Sequence, residues 1–188
     1  MFKLPACKVG AVTGAGGAIG RATALAFAAE SASATVSDIN ADAGYESLDA
    51  ICSAGGQALA VVGAISMADF SQSLVARTVA HFAGPDSAFN NAGIVDEGGY
   101  LWSEDAFLDT LNVDLLGIML GIKYQVPEMR KRGGGTIVNC SSVTGLVSQS
   151  GPPYQPTRAA SIQLSVSPRR PRFDMRGKAS ASIEYVPV

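Results

Sequence analysis

A glycine-rich turn joins a short apolar strand to an alanine-rich helix near the start of the chain. The turn reads Thr13-Gly14-Ala15-Gly16-Gly17-Ala18-Ile19-Gly20, after the apolar run 9–12 and before the helical pattern 21–30. A sharp strand-to-helix turn leaves backbone N–H groups and the positive end of the helix dipole facing outward, which suits a diphosphate. The pattern predicts a dinucleotide-binding unit, although glycines also serve tight turns and close packing without any ligand.

An acidic residue follows the second predicted strand. Asp38 stands at the end of the apolar run 34–37, within the length of a mononucleotide-binding βαβ unit. A carboxylate there accepts both ribose hydroxyls of NAD and repels the 2′-phosphate of NADP. Asp38 is also suited to capping the next helix together with Asn40. The two roles are compatible, and the spacing favours NAD.

Apolar strand patterns alternate with helical patterns along residues 8–141. Strands are predicted near 8–13, 34–38, 57–63, 86–90 and 135–141, and helices at 18–30, 41–54, 67–82 and within 103–130. Runs such as Thr136-Ile137-Val138 lack polar alternation, which is typical of parallel strands covered on both faces. We therefore predict one domain over 1–188, an α/β fold with a three-layer, doubly wound, mostly parallel sheet of the Rossmann type.

Composition argues against several other classes of protein. The chain has 188 residues, 47% hydrophobic and 16% charged, so it can bury one sizeable core but not two ordinary domains. A net charge of -2 without a basic stripe argues against nucleic acid as a partner. No apolar stretch has membrane-spanning length and residues 1–8 lack a signal-peptide core, so we expect a cytoplasmic protein without a membrane partner. Three dispersed cysteines indicate reduced thiols and no metal site.

Polar residues also follow the fourth and fifth predicted strands, at the edge where such sheets bind ligands. Asn90-Asn91-Ala92-Gly93 is compatible with a simple turn, and also with asparagines that tie strand ends together beneath a cofactor. Ser142 follows the fifth strand, and Tyr154 and Arg158 are spaced to share one face of a helical turn. A cation beside a phenol favours the phenolate, so Tyr154 can exchange a proton with a substrate oxygen held by Ser142.

In these motifs the chain resembles the short-chain dehydrogenase/reductase family over residues 8 to about 165. Thr13, Gly14 and Gly20 match the family motif TGxxxGxG, with Ala18 in place of the middle glycine, and residues 90–93 match NNAG. The resemblance implies an NAD-dependent oxidoreductase that interconverts a secondary alcohol and a ketone. The residues implied to bind NAD are Gly14, Gly16, Gly17, Ile19, Gly20, Asp38, Asn90, Asn91, Ala92, Gly93, Tyr154 and Arg158.

The resemblance also implies four catalytic residues, which are Asn112, Ser142, Tyr154 and Arg158. In the family, the asparagine bends its helix and holds a water in the proton relay. Arg158 stands where the family has lysine; it keeps the charge but cannot pass on a proton. The spacing from Ser142 to Tyr154 is one residue shorter than usual, so Ser141 is an alternative substrate contact. Ala64 replaces an adenine-contacting aspartate, at a cost of about 1 kcal/mol in binding.

Prolines crowd the last part of the chain, and each interior proline costs a helix roughly 3 kcal/mol. Residues 166–188 are therefore expected to form an irregular tail, although 179–188 alternates weakly and can add one strand. Compared with the family, the C-terminal strands are expected to be missing or incomplete. A noncatalytic dinucleotide-binding remnant is thus the alternative function. The apolar surface of the helix within 103–130, including Leu115, Ile118, Met119 and Ile122, favours a homodimer or homotetramer.

Overall fold

Strands and helices alternate in the computed structural model, which describes residues 8–95, 103–142 and 182–186. The strands are β1 Val9–Thr13, β2 Ser33–Asp38, β3 Ala58–Val62, β4 Ser87–Asn90, β5 Thr136–Cys140 and β6 Ser182–Val186. The helices are α1 Ala18–Ala29, α2 Ala41–Ser53, α3 Ala68–Phe82, α4 Glu104–Leu111 and α5 Gly117–Lys131. Within those ranges, no helix is both long and apolar enough to cross a membrane.

The strands form one parallel sheet in the order β3-β2-β1-β4-β5-β6. Val12 in β1 pairs with Val36 on one side and with Phe89 on the other, which places β1 in the middle of the sheet. The strand order reverses between β1 and β4. Ligands bind beyond the carboxyl ends of the strands at such a reversal. The predicted doubly wound fold is confirmed.

The sixth strand lies inside the segment expected to be irregular. Residues 182–186 run parallel to β5, from the pair Thr136 and Ser182 to the pair Cys140 and Val186. The expectation of an irregular tail is wrong for these residues, and the alternative of one final strand holds. The physical reason is that β6 hydrogen-bonds the backbone groups that β5 would otherwise leave unpaired on that side. The rest of 166–188 lies outside the described residues.

Helices cover both faces because the strands are apolar on both. On one face, α1 and α2 pack around a core that includes Val12, Val36 and Ile51. On the other face, the core includes Ile137 of β5 and Met129 of α5. Gly10 lets α1 approach β1 closely, since a Cβ there would lie 2.6 Å from the ring of Phe27. The close approach packs the last turns of α1 against the start of β1.

The helix predicted within 103–130 is interrupted. A π-helical segment, Asn112–Leu116, joins α4 to α5. Such a segment inserts an extra residue and makes the helix bulge, and here it begins at the asparagine for which the resemblance implies a bend. Ile118 is completely buried, whereas Leu116 and Met119 are exposed. The exposed apolar surface of this helix is therefore smaller than its sequence suggests.

Candidate active site

The turn between β1 and α1 depends on glycines that have no room for a side chain. Gly14 has a φ of +65°, and a Cβ there would lie 2.8 Å from the Cα of Ala92. A Cβ at Gly16 would lie 2.6 Å from that of Ala43, and one at Gly20 would collide with the carbonyl of Gly14. The turn can therefore follow this course only with glycine at these positions.

Helix α1 begins without a cap. The N-cap is Gly17, which offers no side-chain acceptor, and the first turn contains no acidic residue. By contrast, Asn40 caps α2 and Ser103 caps α4, and both helices have acids in their first turn. Gly17, Ala18 and Ile19 are exposed. The positive end of α1 is thus open to an anion, which the first-turn N–H groups can bind.

Two glycine N–H groups of the turn already have partners, and so has the Ala15 N–H, which donates to the Ser37 carbonyl at 3.0 Å. The Gly16 N–H donates to Oδ2 of Asp38 at 2.8 Å, and the Gly17 N–H donates to the Gly14 carbonyl at 3.2 Å. The expectation that the glycines leave their N–H groups unpaired is wrong for these two, because the turn closes on itself and on Asp38. The anion site is therefore confined to the first turn of α1.

Asp38 lies partly buried at the mouth of the same site. Its Oδ1 accepts a hydrogen bond from the Asn40 N–H at 2.9 Å, so two backbone amides hold the carboxylate in place. Each carboxylate oxygen has a further lone pair, and the group can still accept from a diol. The side-chain cap of α2 comes from Asn40, which accepts from the Ala43 N–H at 3.2 Å. Asp38 is thus left for a ligand.

The loop after β4 is fastened to the glycine turn. The Thr13 hydroxyl accepts hydrogen bonds from the N–H groups of Asn91 and Ala92, at 3.0 and 3.1 Å. The Asn91 side chain donates to the carbonyls of Thr13 and Gly14, at 3.1 and 3.3 Å. These bonds lock together the ends of β1 and β4, the two strands at which the strand order reverses.

Asn90 lies away from this surface, inside the protein. Its side chain donates to Oδ1 of Asn139 at 2.9 Å and to Oε1 of Gln125 at 3.3 Å, and Gln125 donates back at 2.9 Å. This buried amide network joins β4, β5 and α5. Of the two roles open to the asparagines, Asn90 ties strand ends together. A direct cofactor contact by its side chain finds no support in this arrangement.

An open cleft of about 620 Å³ lies above the carboxyl ends of the strands. Its lining joins the glycine turn to the ends of the neighbouring strands, and comprises Gly14, Gly16, Gly17, Ala18, Ile19, Asp38, Asn40, Ala43, Asn91, Ala92, Gly93, Cys140, Ser141 and Ser142. Ser142 is half-buried and Ser141 is buried. Both serines considered as substrate contacts therefore lie along the cleft.

A second pocket, of about 160 Å³, adjoins the cleft. Gly14, Asp38, Ala92 and Gly93 line both spaces. The side chains Ile39, Ile65, Ile94 and Val113 make its walls mostly apolar. An apolar pocket beside an acid and an open helix N-terminus fits the base, ribose and diphosphate of a dinucleotide. Sequence reasoning missed these walls, although an isoleucine directly after Asp38 in a turn was a usable signal.

Of the three remaining predicted catalytic residues, the structure describes only Asn112. Asn112 begins the π-helical segment and is exposed, and it is not among the described residues that line either space. Its neighbour Val113 does line the second pocket. Tyr154 and Arg158 lie outside the described residues. Their roles stay predictions from the sequence.

Comparison with known proteins assigns the family. The model of the short chain dehydrogenase family matches residues 8–171. This chain belongs to the short chain dehydrogenase family. Members of this family are oxidoreductases that use nicotinamide dinucleotides.

Curated relatives and solved structures agree with that assignment. An uncharacterized oxidoreductase of Thermotoga maritima is 40% identical over 141 residues, which cover 74% of this chain and 55% of that protein. Cyclohexanol dehydrogenase of an Acinetobacter species is 36% identical over 142 residues, covering 74% and 57%. The chain therefore spans little more than half the length of these relatives. A short chain dehydrogenase/reductase of Burkholderia phymatum, solved in complex with NAD, has a TM-score of 0.89 at 25% identity, covering 100% of this chain and 66% of that one.

Proposed function

We propose that this chain binds NAD in the cleft and the second pocket, and interconverts a secondary alcohol and a ketone. The observation that carries the proposal is the uncapped start of α1 beside Asp38. The first-turn N–H groups of α1 would hold the diphosphate, Asp38 the adenosine ribose, and the second pocket the base. When bound, NAD supplies a reversible carrier of hydride.

The charges around the two spaces support NAD over NADP. Among the described residues, neither lining includes a lysine or arginine that could pair with a 2′-phosphate. Asp38 instead puts a negative charge beside the ribose site. Two charges of the same sign about 4 Å apart repel by about 4 kcal/mol at an effective dielectric constant of 20. The chain should therefore select against the phosphorylated cofactor.

Oxidation of a secondary alcohol releases a hydride from carbon and a proton from oxygen. We assign the proton to the Tyr154 phenolate, which Arg158 favours by its charge. Ser142 orients the substrate oxygen, with Ser141 as the alternative. Asn112 supports the proton relay. In the reverse direction Tyr154 returns the proton to the oxygen of the ketone as hydride reaches its carbon.

A specific sequence feature favours a second candidate, an NAD-binding protein without turnover. Arg158 replaces the lysine of the family motif. Arginine is larger and effectively never deprotonated, so it preserves the charge without serving a relay. Binding of NAD would survive such a change more easily than catalysis.

Absorbance of NADH during incubation with secondary alcohols distinguishes the two candidates. A suitable panel starts with cyclohexanol, the alcohol named for one relative, and extends to acyclic alcohols between pH 7 and 10. The proposal predicts NADH formation, loss of it in Tyr154→Phe with NAD binding retained, and faster turnover in Arg158→Lys. Calorimetric NAD binding with no turnover in either the wild type or Arg158→Lys supports the noncatalytic candidate.

A further inference from the structure

The hydroxyl of Ser37 is buried without a hydrogen-bond partner among the described residues. Ser37 is 1% exposed, and its carbonyl accepts a hydrogen bond from the Ala15 N–H at 3.0 Å. The backbone at this end of β2 is therefore held in place, and the hydroxyl is left with almost no exposure to solvent. Buried polar groups in native proteins are nearly always paired. The unpaired oxygen points to a partner that binds from outside.

The position of Ser37 directs that partner to the second pocket, which Ser37 helps to line. Side chains alternate along β2, so Ser37 shares a face with Thr35, whose hydroxyl accepts a hydrogen bond from Thr78 of α3 at 3.2 Å. Asp38 lies on the opposite face, where its carboxylate accepts from the Gly16 N–H. Ser37 thus approaches the pocket from the α3 side, apart from the carboxylate at the ribose site.

The pocket offers few polar groups besides this hydroxyl. Its isoleucines and Val113 are apolar, Ala64 has only a methyl group, and the Asp38 oxygens already bind two backbone amides. The other side-chain hydroxyl in the described lining is that of Ser66, which is half-buried, so Ser37 carries the buried unpaired hydroxyl of this pocket. A flat heteroaromatic base has apolar faces and a polar edge. It can bury its faces against the aliphatic walls, but its edge then needs a donor or acceptor. A serine hydroxyl supplies both.

We propose that Ser37 recognises the adenine base, with its hydroxyl hydrogen-bonded to the edge of the ring. This inference rests on the proposed binding of NAD and adds a residue that sets the affinity for the base. Ser37 would contact the cofactor and not the substrate. The Ser37 hydroxyl would also supply a polar contact in a pocket where Ala64 cannot provide one.

Calorimetric titration of the full chain with NAD tests the assignment in the wild type, Ser37→Ala and Ser33→Ala. Ser33 undergoes the same change on the same strand, outside both spaces, where its hydroxyl bonds to Gln57 at 3.4 Å. We expect Ser37→Ala to weaken NAD binding about fivefold to tenfold and Ser33→Ala to change it less than about twofold. Ser37→Cys keeps the shape with a weaker donor and should be intermediate.

Thermal melting without NAD separates recognition from packing. Because Ser37→Ala removes a buried unpaired group, the variant should melt at or above the temperature of the wild type. A loss of both melting temperature and affinity overturns the assignment, because the hydroxyl would then be paired within the free protein. If the wild type binds NAD and Ser37→Ala binds it with the same affinity, the assignment of Ser37 is overturned as well. A wild type that binds no NAD refutes the proposed function itself, and the two failures are thereby distinguished.

Discussion

Replacing Gly17 by aspartate should stabilise the protein and prevent it from binding NAD. Gly17 is the N-cap of α1, with a φ of -79° and a ψ of 164°, which any residue adopts. A Cβ there meets nothing closer than the Gly14 carbonyl oxygen at 3.5 Å. Aspartate is a favoured N-cap, whose carboxylate accepts from first-turn N–H groups. Those are the groups that we assign to the diphosphate.

The stabilising effect is the smaller of the two. Aspartate in place of glycine at an N-cap gains a few tenths of a kcal/mol, and its charge at the positive end of the helix adds about 0.3–1 kcal/mol. A total of about 1 kcal/mol raises the melting temperature by roughly 2–4 °C in a domain of this size.

The effect on binding is larger because the diphosphate carries two negative charges. Each pair of unit charges about 4 Å apart repels by about 4 kcal/mol at an effective dielectric constant of 20. Solvent in the open cleft screens this repulsion, and even at half strength it leaves about 4 kcal/mol for the two pairs. NAD binding should therefore weaken more than about a hundredfold.

Thermal melting and calorimetric titration with NAD measure the two effects on the same samples. Gly17→Ser is the matched control, because serine also caps a helix but brings no charge. It should show only the few tenths of a kcal/mol that come from capping, and a much smaller loss of affinity. If Gly17→Asp keeps its NAD affinity within about threefold, the diphosphate does not bind at the start of α1. If the variant melts at a lower temperature than the wild type, the start of α1 does not lack a cap.

Two further changes test opposite ends of the sheet. Asp38→Asn should weaken NAD binding about tenfold, because the ribose loses a charged acceptor. The same change should reduce the preference for NAD over NADP, because the 2′-phosphate no longer meets a negative charge. Calorimetry with both dinucleotides measures this, with the exposed Asp42→Asn as control. Asp86→Asn should lower the free energy of unfolding by about 1–3 kcal/mol in urea, because Lys8 and Arg132 lose their shared partner. Burial alone raises the pKa of Asp86, but hydrogen bonds from Lys8, Arg132 and the Val9 amide, with the Arg132 charge, outweigh it and lower the pKa below its ordinary 3.8. The stabilisation is complete above that value and is lost as pH falls through the folded-state pKa, a loss that the variant should not show.

The parts of this protein that local chemistry marks were predictable from the sequence. The glycine turn ends β1, Asn40 caps α2, and apolar runs mark the strands, so these elements lie within about two residues of their predicted bounds. The place of Asp38 at the cleft also follows from local spacing. Asp38 ends β2, and ligands bind beyond the carboxyl ends of parallel strands.

Features that depend on distant residues escaped prediction. Asn90 meets Gln125 and Asn139 at separations of 35 and 49 positions, and nothing local reveals these partners. The π-helical segment carries a continuous helical pattern, so hydrophobic periodicity does not mark the break at Asn112, for which only the family resemblance gave a signal. The missing partner of the Ser37 hydroxyl became visible only once burial and hydrogen bonding were known.

Titration of the unmodified chain with NAD and, in parallel, with NADP tests the central claim most directly. The open start of α1 and the carboxylate of Asp38 predict one NAD bound per chain. They also predict that NADP binds at least about tenfold more weakly, because its 2′-phosphate meets that carboxylate. Absence of binding heat with folded protein, or equal affinity for the two dinucleotides, contradicts the account.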